Sequence, residues 1–196
     1  MLYRFLRWLS RCLFFLCRWR VEGIENVPAS GPVIIAANHV SNWDPVAVGA
    51  ALTRTVHFMA KEEMFENQVL AKFFTAIHAF PVKRGAPDRK AIRRALELLG
   101  EGQVVGMFPE GTRSKTGELR KPQPGVAMIA LKARAQIVPV ACIGTRGLVP
   151  CGWRRPFIIR IGKPVEYGEY YGSRLSTQVI EDVSQDIMKR IQELLN

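Results

Sequence analysis

The chain has 196 residues, of which 48% are apolar, and a formal net charge of +11 at pH 7. This length suits one domain with a substantial core, and the apolar fraction excludes an intrinsically disordered chain. The excess of Lys and Arg indicates an acidic partner: nucleic acid, an anionic membrane or a phosphorylated substrate. The four cysteines form no C-x-x-C pair and no zinc-ligand spacing, so we predict free thiols and no metal site.

Residues 1–20 form the first predicted element, an amphipathic helix. This segment carries five arginines and no acidic residue. Its apolar residues follow helical spacing at Leu2, Phe5, Leu6, Leu9, Leu13 and Leu16. The longest apolar run is far below the ~20 residues that cross a bilayer. We therefore predict a helix in the membrane interface, with Trp8 and Trp19 at headgroup depth and the arginines on anionic lipid. The alternative is a helix packed on the protein itself.

Residues 21–196 are predicted to form one α/β domain. Short apolar runs predict buried strands at residues 33–37, 56–60, 79–82, 104–108, 137–143 and 157–161. Asp88 is a good N-cap for a helix that ends at Gly100. Residues 125–135 favour another helix, and an amphipathic stripe over residues 175–194 predicts a last one. This alternation predicts a single domain with a mixed sheet flanked by helices, and functional residues where the strands end.

The first candidate site is the segment Asn38–Asp44, which directly follows the predicted strand 33–37. It places His39 five residues before Asp44, and Pro45 suits a first helical position, so we predict Asp44 as the N-cap of the next helix. A neutral imidazole can accept a hydroxyl proton, and a carboxylate on its other nitrogen fixes the tautomer. The spacing by itself favours a core histidine beside a capping aspartate, and the preceding strand and Pro45 shift the balance towards catalysis.

The second candidate site is the segment Phe108–Ser114, which follows the predicted strand 104–108. Gly111 allows the backbone to approach a ligand closely, and Arg113 can hold a phosphate through two parallel hydrogen bonds. Lys83 and Arg84 follow the predicted strand 79–82. We predict that these two basic loops leave neighbouring strands and clamp one phosphate. Each loop taken separately also fits a solvated cluster of charges.

In these residues the sequence resembles the lysophospholipid acyltransferase family, whose best-known members are 1-acylglycerol-3-phosphate acyltransferases. The resemblance extends over about residues 21–162 and rests on blocks in the same order, namely Asn38–Asp44, Phe80–Gly85, Phe108–Ser114 and Val138–Val140. The first and third blocks are specific when they occur together. One position departs from the pattern: many relatives place a lysine two residues before the glycine that corresponds to Gly125, whereas this chain has Gln123 there, with Lys121 nearby.

The resemblance implies a glycerolipid acyltransferase fold and transfer of an acyl group from acyl-CoA or acyl-carrier protein. The implied acceptor is the sn-2 hydroxyl of lysophosphatidic acid (1-acyl-sn-glycerol 3-phosphate), and the product is phosphatidic acid. No cofactor is implied. By resemblance His39 is the general base and Asp44 orients it. The acceptor's phosphate would meet Lys83, Arg84, Glu110, Gly111, Thr112 and Arg113, with supporting roles for Asn38, Ser41 and Pro139. The expected location is the cytoplasmic face of the cell membrane, as a peripheral or monotopic enzyme.

Other activities are compatible with the same residues. Within enzymes, the acceptor could be another lysolipid or glycerol 3-phosphate. A basic nucleic-acid-binding domain would explain the charge but not the N-terminal helix, and no nucleic-acid-binding motif is present, so we expect no such partner. A non-catalytic membrane-surface adaptor would not need the pair of His39 and Asp44. Neither the acyl-chain length nor the choice of donor follows from any motif in the sequence.

Overall fold

The computed structural model describes residues 1–83, 85, 88–147, 156–172 and 174–196. Its helices are α1 (Leu2–Leu16), α2 (Asp44–Ala51), α3 (Gln68–Ala76), α4 (Arg89–Gly100), α5 (Gly125–Ala133) and α6 (Thr177–Leu195). Its strands are β1 (Arg20–Glu22), β2 (Val33–Ala37), β3 (Val56–Lys61), β4 (Phe80–Val82), β5 (Val104–Met107), β6 (Gln136–Ile143) and β7 (Ile158–Ile161). The predicted strands are confirmed as β2 to β7, with no end displaced by more than one residue. The sequence analysis missed β1 and α3.

The strands form one mixed sheet in the order β1-β7-β6-β2-β5-β3-β4. Strands β2 to β6 run parallel to one another. Strand β7 pairs with β6 in the antiparallel direction, and β1 pairs with β7 in the parallel direction. Parallel neighbours require crossover connections, which the helices between the strands provide. The α/β architecture with one mixed sheet is therefore confirmed.

The core has two apolar layers, one on each face of the sheet. Because side chains alternate along a strand, Ile34 and Ala36 of β2 face one layer, and Val33, Ile35 and Ala37 face the other. Helices α4, α5 and α6 cover the first face, and α1 and α2 cover the second. All five residues of β2 are buried, so the strand that leads into the first candidate site is held on both sides.

Three of the predicted helices begin and end within two residues of their predicted bounds. The carboxylate of Asp88 accepts hydrogen bonds from the N–H groups of Lys90 and Ala91, which confirms it as the N-cap of α4. Helix α5 ends at Ala133, two residues before the predicted end, because Arg134 adopts a left-handed conformation with φ of 50°. The last predicted helix is confirmed as α6, and Ser176 caps it through the N–H of Val179.

Helix α1 lies on α2 and is tied to it through two arginines. Nε of Arg11 donates to the carbonyl of Ala50 at 2.7 Å, and the guanidinium of Arg7 donates to the carbonyl of Thr53 at 2.8 Å. The first contact satisfies a carbonyl in the last turn of α2, where the helix dipole favours a cation, and the second satisfies a carbonyl just after the helix. The expectation that all five arginines face lipid is therefore wrong for Arg7 and Arg11.

The same correction applies to one tryptophan. Trp19 packs against the rings of Phe14 and Phe157, at centroid distances of 5.4 and 5.9 Å, whereas Trp8 is 60% exposed. Phe14 itself is buried, so the inner face of α1 contributes to the core. Among the described residues, no helix is both long enough and apolar enough to cross a bilayer.

Candidate active site

Both candidate segments lie at the carboxyl edge of the parallel strands. Strand β2 leads into Asn38 and His39, and its neighbour β5 leads into Phe108, Pro109 and Glu110. Parallel strands place their carboxyl ends at one edge of the sheet, where loops from several strands converge. The two segments therefore meet, as the sequence predicts.

The imidazole of His39 and the carboxylate of Asp44 form a hydrogen bond of 2.8 Å between Nδ1 and Oδ2. The N–H groups of Val40 and Ser41 donate to the same Oδ2, each at 2.7 Å. Asp44 is the first residue of α2 and its side chain makes no cap bond, so its prediction as the N-cap is wrong. The physical reason is that the carboxylate is already held by the turn before the helix and by the imidazole. Pro45 accordingly occupies the second helical position.

The second carboxylate oxygen of Asp44 is held by a residue that the sequence analysis missed. The hydroxyl of Thr145 donates to Oδ1 at 2.6 Å, and both side chains are fully buried. Thr145 lies two residues after the end of β6, next to Gly144. Because β6 runs parallel to β2, Thr145 lies at the same carboxyl edge of the sheet as His39. A polar residue just after an apolar strand run was the signal that could have found it.

These contacts fix the tautomer of His39. A buried carboxylate with several N–H donors around it accepts hydrogen bonds, so Nδ1 of the imidazole carries the proton and Nε2 has a free lone pair. His39 is only 6% exposed. The arrangement can take a proton from a hydroxyl group placed at Nε2.

Two phenylalanines form the wall behind the imidazole. The ring of Phe108 stacks on His39 with a centroid distance of 4.0 Å and an interplanar angle of 18°, and Phe58 stacks on Phe108 at 5.9 Å and 15°. Gly106, which pairs with Phe58 across β3 and β5, makes room for this stack. A Cβ at Gly106 would lie 2.3 Å from the Phe58 ring. The imidazole is thus fixed by packing as well as by hydrogen bonds.

The carboxylate of Glu110 connects the two candidate segments through the backbone. It accepts hydrogen bonds from the N–H of His39 at 2.7 Å and from the N–H of Arg120 at 3.1 Å. The N–H of Ser114 donates to the carbonyl of His39 at 2.8 Å. Burial raises the pKa of Glu110 above its usual value, while the backbone N–H groups act in the opposite direction. Both oxygens of Glu110 have partners within the protein, so its phosphate contact stays a prediction.

Of the rest of the second segment, Gly111 and Thr112 are half-buried and Arg113 is exposed. Arg113 is exposed and forms no hydrogen bond or ion pair with the described residues. The hydroxyl of Thr112 accepts a hydrogen bond from the guanidinium of Arg120. Gly111 has a φ of 69°, and its backbone lies against Gln123, the residue that departs from the family pattern. This loop can present cations and backbone N–H groups to an anion.

The second basic loop is farther away than predicted. Strand β3 lies between β4 and β5, so Lys83 does not leave a strand adjacent to the Phe108–Ser114 segment. Two inter-strand spacings of ~4.8 Å therefore separate the two loops at their bases. The ammonium group of Lys83 forms an exposed ion pair with Glu62 at 3.6 Å. Arg84 lies outside the described residues, so its predicted role is unaddressed.

Of the three residues predicted to play supporting roles, Asn38 and Ser41 form hydrogen bonds at this edge of the sheet, whereas Pro139 lies within a strand. The side chain of Asn38 bonds both backbone groups of Cys142, at 3.1 and 2.7 Å, and so continues the pairing of β2 with β6. The hydroxyl of Ser41 accepts the N–H of Trp43 at 3.2 Å. Pro139 sits within β6 opposite Ala36. Among the described residues, no three His, Cys, Asp or Glu side chains gather as a metal ion requires.

The buried pair of His39 and Asp44 lies at the edge of a mixed sheet and is joined through the backbone to the loop that carries Arg113, an arrangement that can activate a hydroxyl group. The chain belongs to the acyltransferase family, because the family model described as Acyltransferase matches residues 18–143. It is 34% identical to the 1-acyl-sn-glycerol-3-phosphate acyltransferase of Bacillus subtilis, over 90% of this chain and 88% of that protein.

Two further proteins are similar to the chain. A chloroplastic 1-acyl-sn-glycerol-3-phosphate acyltransferase of Arabidopsis thaliana is 31% identical over 74% of this chain, which spans 41% of that longer protein. The crystal structure of PlsC, the 1-acyl-sn-glycerophosphate (LPA) acyltransferase from Thermotoga maritima, matches with a TM-score of 0.75 and 28% identity. That match includes 98% of this chain and 79% of the other. The resemblance stated from the sequence is thus confirmed.

Proposed function

We propose that the protein transfers an acyl group to the sn-2 hydroxyl of 1-acyl-sn-glycerol 3-phosphate and so makes phosphatidic acid. The observation that carries the proposal is the buried His39–Asp44 pair, whose backbone is hydrogen-bonded to the loop that carries Arg113. The names of the relatives, which are 1-acyl-sn-glycerol-3-phosphate acyltransferases, support the same acceptor. The reaction places the enzyme in phospholipid biosynthesis.

In the proposed mechanism His39 acts first as a base and then as an acid. Nε2 takes the proton of the acceptor's hydroxyl as its oxygen attacks the carbonyl carbon of an acyl thioester, either acyl-CoA or acyl-carrier protein. The carboxylate of Asp44 stabilises the imidazolium that forms. An ester bond forms, the carbon–sulfur bond breaks, and the imidazolium returns its proton to the leaving thiolate. No covalent acyl-enzyme is required.

The acceptor's phosphate is proposed to bind the loop after β5. Arg113 is exposed and free of partners among the described residues, so it can direct two of its guanidinium N–H groups towards a phosphate. Gly111 and Thr112 supply close backbone approach and a hydroxyl, and Lys83 supplies more distant positive charge. Glu110 contributes by holding the loop against the backbone of His39.

The outer face of α1 is proposed to hold the enzyme on the cytoplasmic face of the membrane. This face carries exposed apolar side chains, at Leu2, Phe5, Trp8, Leu9, Phe15 and Leu16. Arg4 and Arg18 are exposed near it, and residues 1–20 contain no acid. An amphipathic helix of this kind binds in the plane of the interface. Deleting residues 1–20 would also remove the buried Phe14, so a triple change of Phe5, Trp8 and Phe15 to Gln is the cleaner test.

The products that the purified protein forms from a panel of acceptors and donors test the proposed function. We expect phosphatidic acid from 1-acyl-sn-glycerol 3-phosphate, with acyl-CoA and acyl-carrier protein compared as donors. Preferred turnover of glycerol 3-phosphate or of a lysolipid without a phosphomonoester would reassign the acceptor. Binding to vesicles without turnover would support an adaptor, and salt-sensitive DNA binding without turnover would support a nucleic-acid-binding domain.

A further inference from the structure

Helix α3 is an apolar helix with no buried residue. Its sequence contains six apolar residues out of nine, one lysine and no acid. Val69, Leu70 and Phe73 are 75%, 47% and 42% exposed. Isolated helices of this length are marginal in water, because their stability comes mainly from packing an apolar face. The exposed face of α3 is therefore apolar and is not packed against any of the described residues, although packing of such a face is the usual source of helix stability.

The inner side of α3 is attached to the protein by few contacts. Phe74 packs against Phe65 with a ring-centroid distance of 5.7 Å, and Asn67 caps the helix through the N–H groups of Val69 and Leu70. These contacts fix the direction of the helix. They leave Val69, Leu70 and Phe73 on one outer side, since residues three and four apart share a side of a helix.

The exposed apolar side chains of the protein are concentrated in two regions. Among the described residues, every exposed large apolar side chain except Val46 lies either on residues 1–16 or on the segment from Met64 to Phe73. Tyr3 of α1 contacts the ring of His78, just after α3, at a centroid distance of 5.1 Å. The N-terminal turn of α1 thus lies beside the C-terminal end of α3, and the two exposed regions adjoin.

The position of α3 relative to the active site is also informative. It follows the carboxyl end of β3, which is the edge of the sheet where His39 and the Phe108–Ser114 loop lie. The nearest acids do not oppose contact with an anionic surface strongly, because Glu63 pairs with Lys61 at 2.7 Å and Glu62 with Lys83 at 3.6 Å. Glu66 is exposed, and Lys72 is the only ionisable residue of the helix.

We propose that the outer side of α3, formed by Val69, Leu70 and Phe73, is, together with Met64 in the turn before the helix, a second membrane-contact surface that inserts into the bilayer with α1. This inference rests on the proposed function, because the acceptor is a lipid. One contact surface lies on α1 and the other on α3, on either side of the contact between Tyr3 and His78. Two separate surfaces fix the orientation of the protein on the membrane, which one helix cannot do. The carboxyl edge of the sheet is then held against the bilayer, where an acceptor with one acyl chain resides.

A triple variant tests the surface: Val69→Gln, Leu70→Gln and Phe73→Gln. These side chains are outside the core, so the thermal unfolding midpoint should stay close to that of the wild type. We expect binding to vesicles of phosphatidylcholine and phosphatidylglycerol to weaken about tenfold or more. Turnover of vesicle-embedded acceptor should fall in parallel, whereas turnover of a short-chain soluble acceptor should be kept. The matched control is Gln68→Asn with Thr75→Gln, which changes another side of α3 and should bind as the wild type does.

The outcomes separate this inference from the proposed function. Unchanged vesicle binding in the triple variant would overturn the second contact, even if the enzyme is fully active. A wild-type protein that is dimeric in solution and becomes monomeric in the triple variant would overturn it too, by assigning the face to a second copy of the chain. Absence of soluble-acceptor turnover in the wild type would count against the proposed function instead.

A positional measurement covers the case in which the triple variant fails to fold. In a Trp8→Phe background, Phe73→Trp adds one fluorophore on the outer side of α3, and Gln68→Trp adds one on another side. Brominated lipids should quench the added fluorescence at position 73 at least about twofold more than at position 68. Equal quenching at the two positions would overturn the proposal.

Discussion

The catalytic corner and the cationic loop of the active site are built in opposite ways. In the catalytic corner, comprising His39, Asp44 and Thr145, the carboxylate is fully buried and receives hydrogen bonds from both the imidazole and the threonine. In the cationic loop after β5, Arg113 is exposed and without a partner among the described residues. In the proposed mechanism the base is positioned before substrate arrives, as preorganised catalysis requires, whereas Arg113 would gain its partner only on binding. Changes in the corner should therefore lower kcat, and changes in the loop should raise the KM of the acceptor.

The largest predicted effect within this comparison comes from Asp44→Asn. The N–H groups of Val40 and Ser41 point at one oxygen position, so the amide should place its oxygen there and its NH2 group towards Thr145. The tautomer of His39 is then kept, and only the negative charge beside the imidazolium is lost. We expect kcat to fall about 10²- to 10³-fold with little change in the acceptor's KM. Steady-state kinetics check this, and a change confined to KM would remove Asp44 from the chemical step.

Arg113→Ala should have an intermediate effect, on binding. Loss of a charge-assisted contact to phosphate corresponds to about 2 kcal/mol, or roughly a 30-fold higher KM for the acceptor. Arg113→Lys should recover little, because an ammonium group cannot form the two parallel hydrogen bonds of a guanidinium. The measurement is the KM of acceptor and donor for each variant. If only the donor's KM moves, the cationic loop binds coenzyme A or the carrier protein.

Thr145→Val should have the smallest effect on turnover and a separate effect on stability. Valine has nearly the same shape but leaves Oδ1 of the buried Asp44 without its hydroxyl donor. We expect kcat to fall about tenfold and the free energy of unfolding to fall by about 1–3 kcal/mol. Thr145→Ser, which keeps the hydroxyl, is the control and should recover most of both losses. Equal losses in the two variants would show that the methyl group matters rather than the hydrogen bond.

The sequence predicts the central parts of this structure because they follow local rules. Strand β2 is an unbroken apolar run, and α4 has a capping aspartate at its start. These patterns placed His39 and Glu110 at one edge of the sheet. The distance between the Lys83 loop and the Arg113 loop could not be predicted, because the order of strands in a sheet is a tertiary property.

The parts that were missed depend on contacts between residues distant in the chain. Thr145 meets Asp44 across 101 positions, and Arg7 and Arg11 bond carbonyls in or just after α2. Asp44 is of a residue type that often caps a helix, and it precedes a proline as a cap would. Its carboxylate instead accepts hydrogen bonds from the imidazole and from the N–H groups of the preceding turn. Helix α3 was missed because its apolar residues form no stripe against the core.

The central claim is that His39 is the base that activates the acceptor's hydroxyl. The most direct test compares the single-turnover rate of phosphatidic acid formation in the wild type and in His39→Ala, with folding checked by circular dichroism and thermal unfolding. We expect a rate about 10²- to 10⁴-fold lower in a folded variant, because general base catalysis by a positioned side chain contributes a factor of this size. A folded His39→Ala protein that keeps more than about a tenth of the wild-type rate would contradict it.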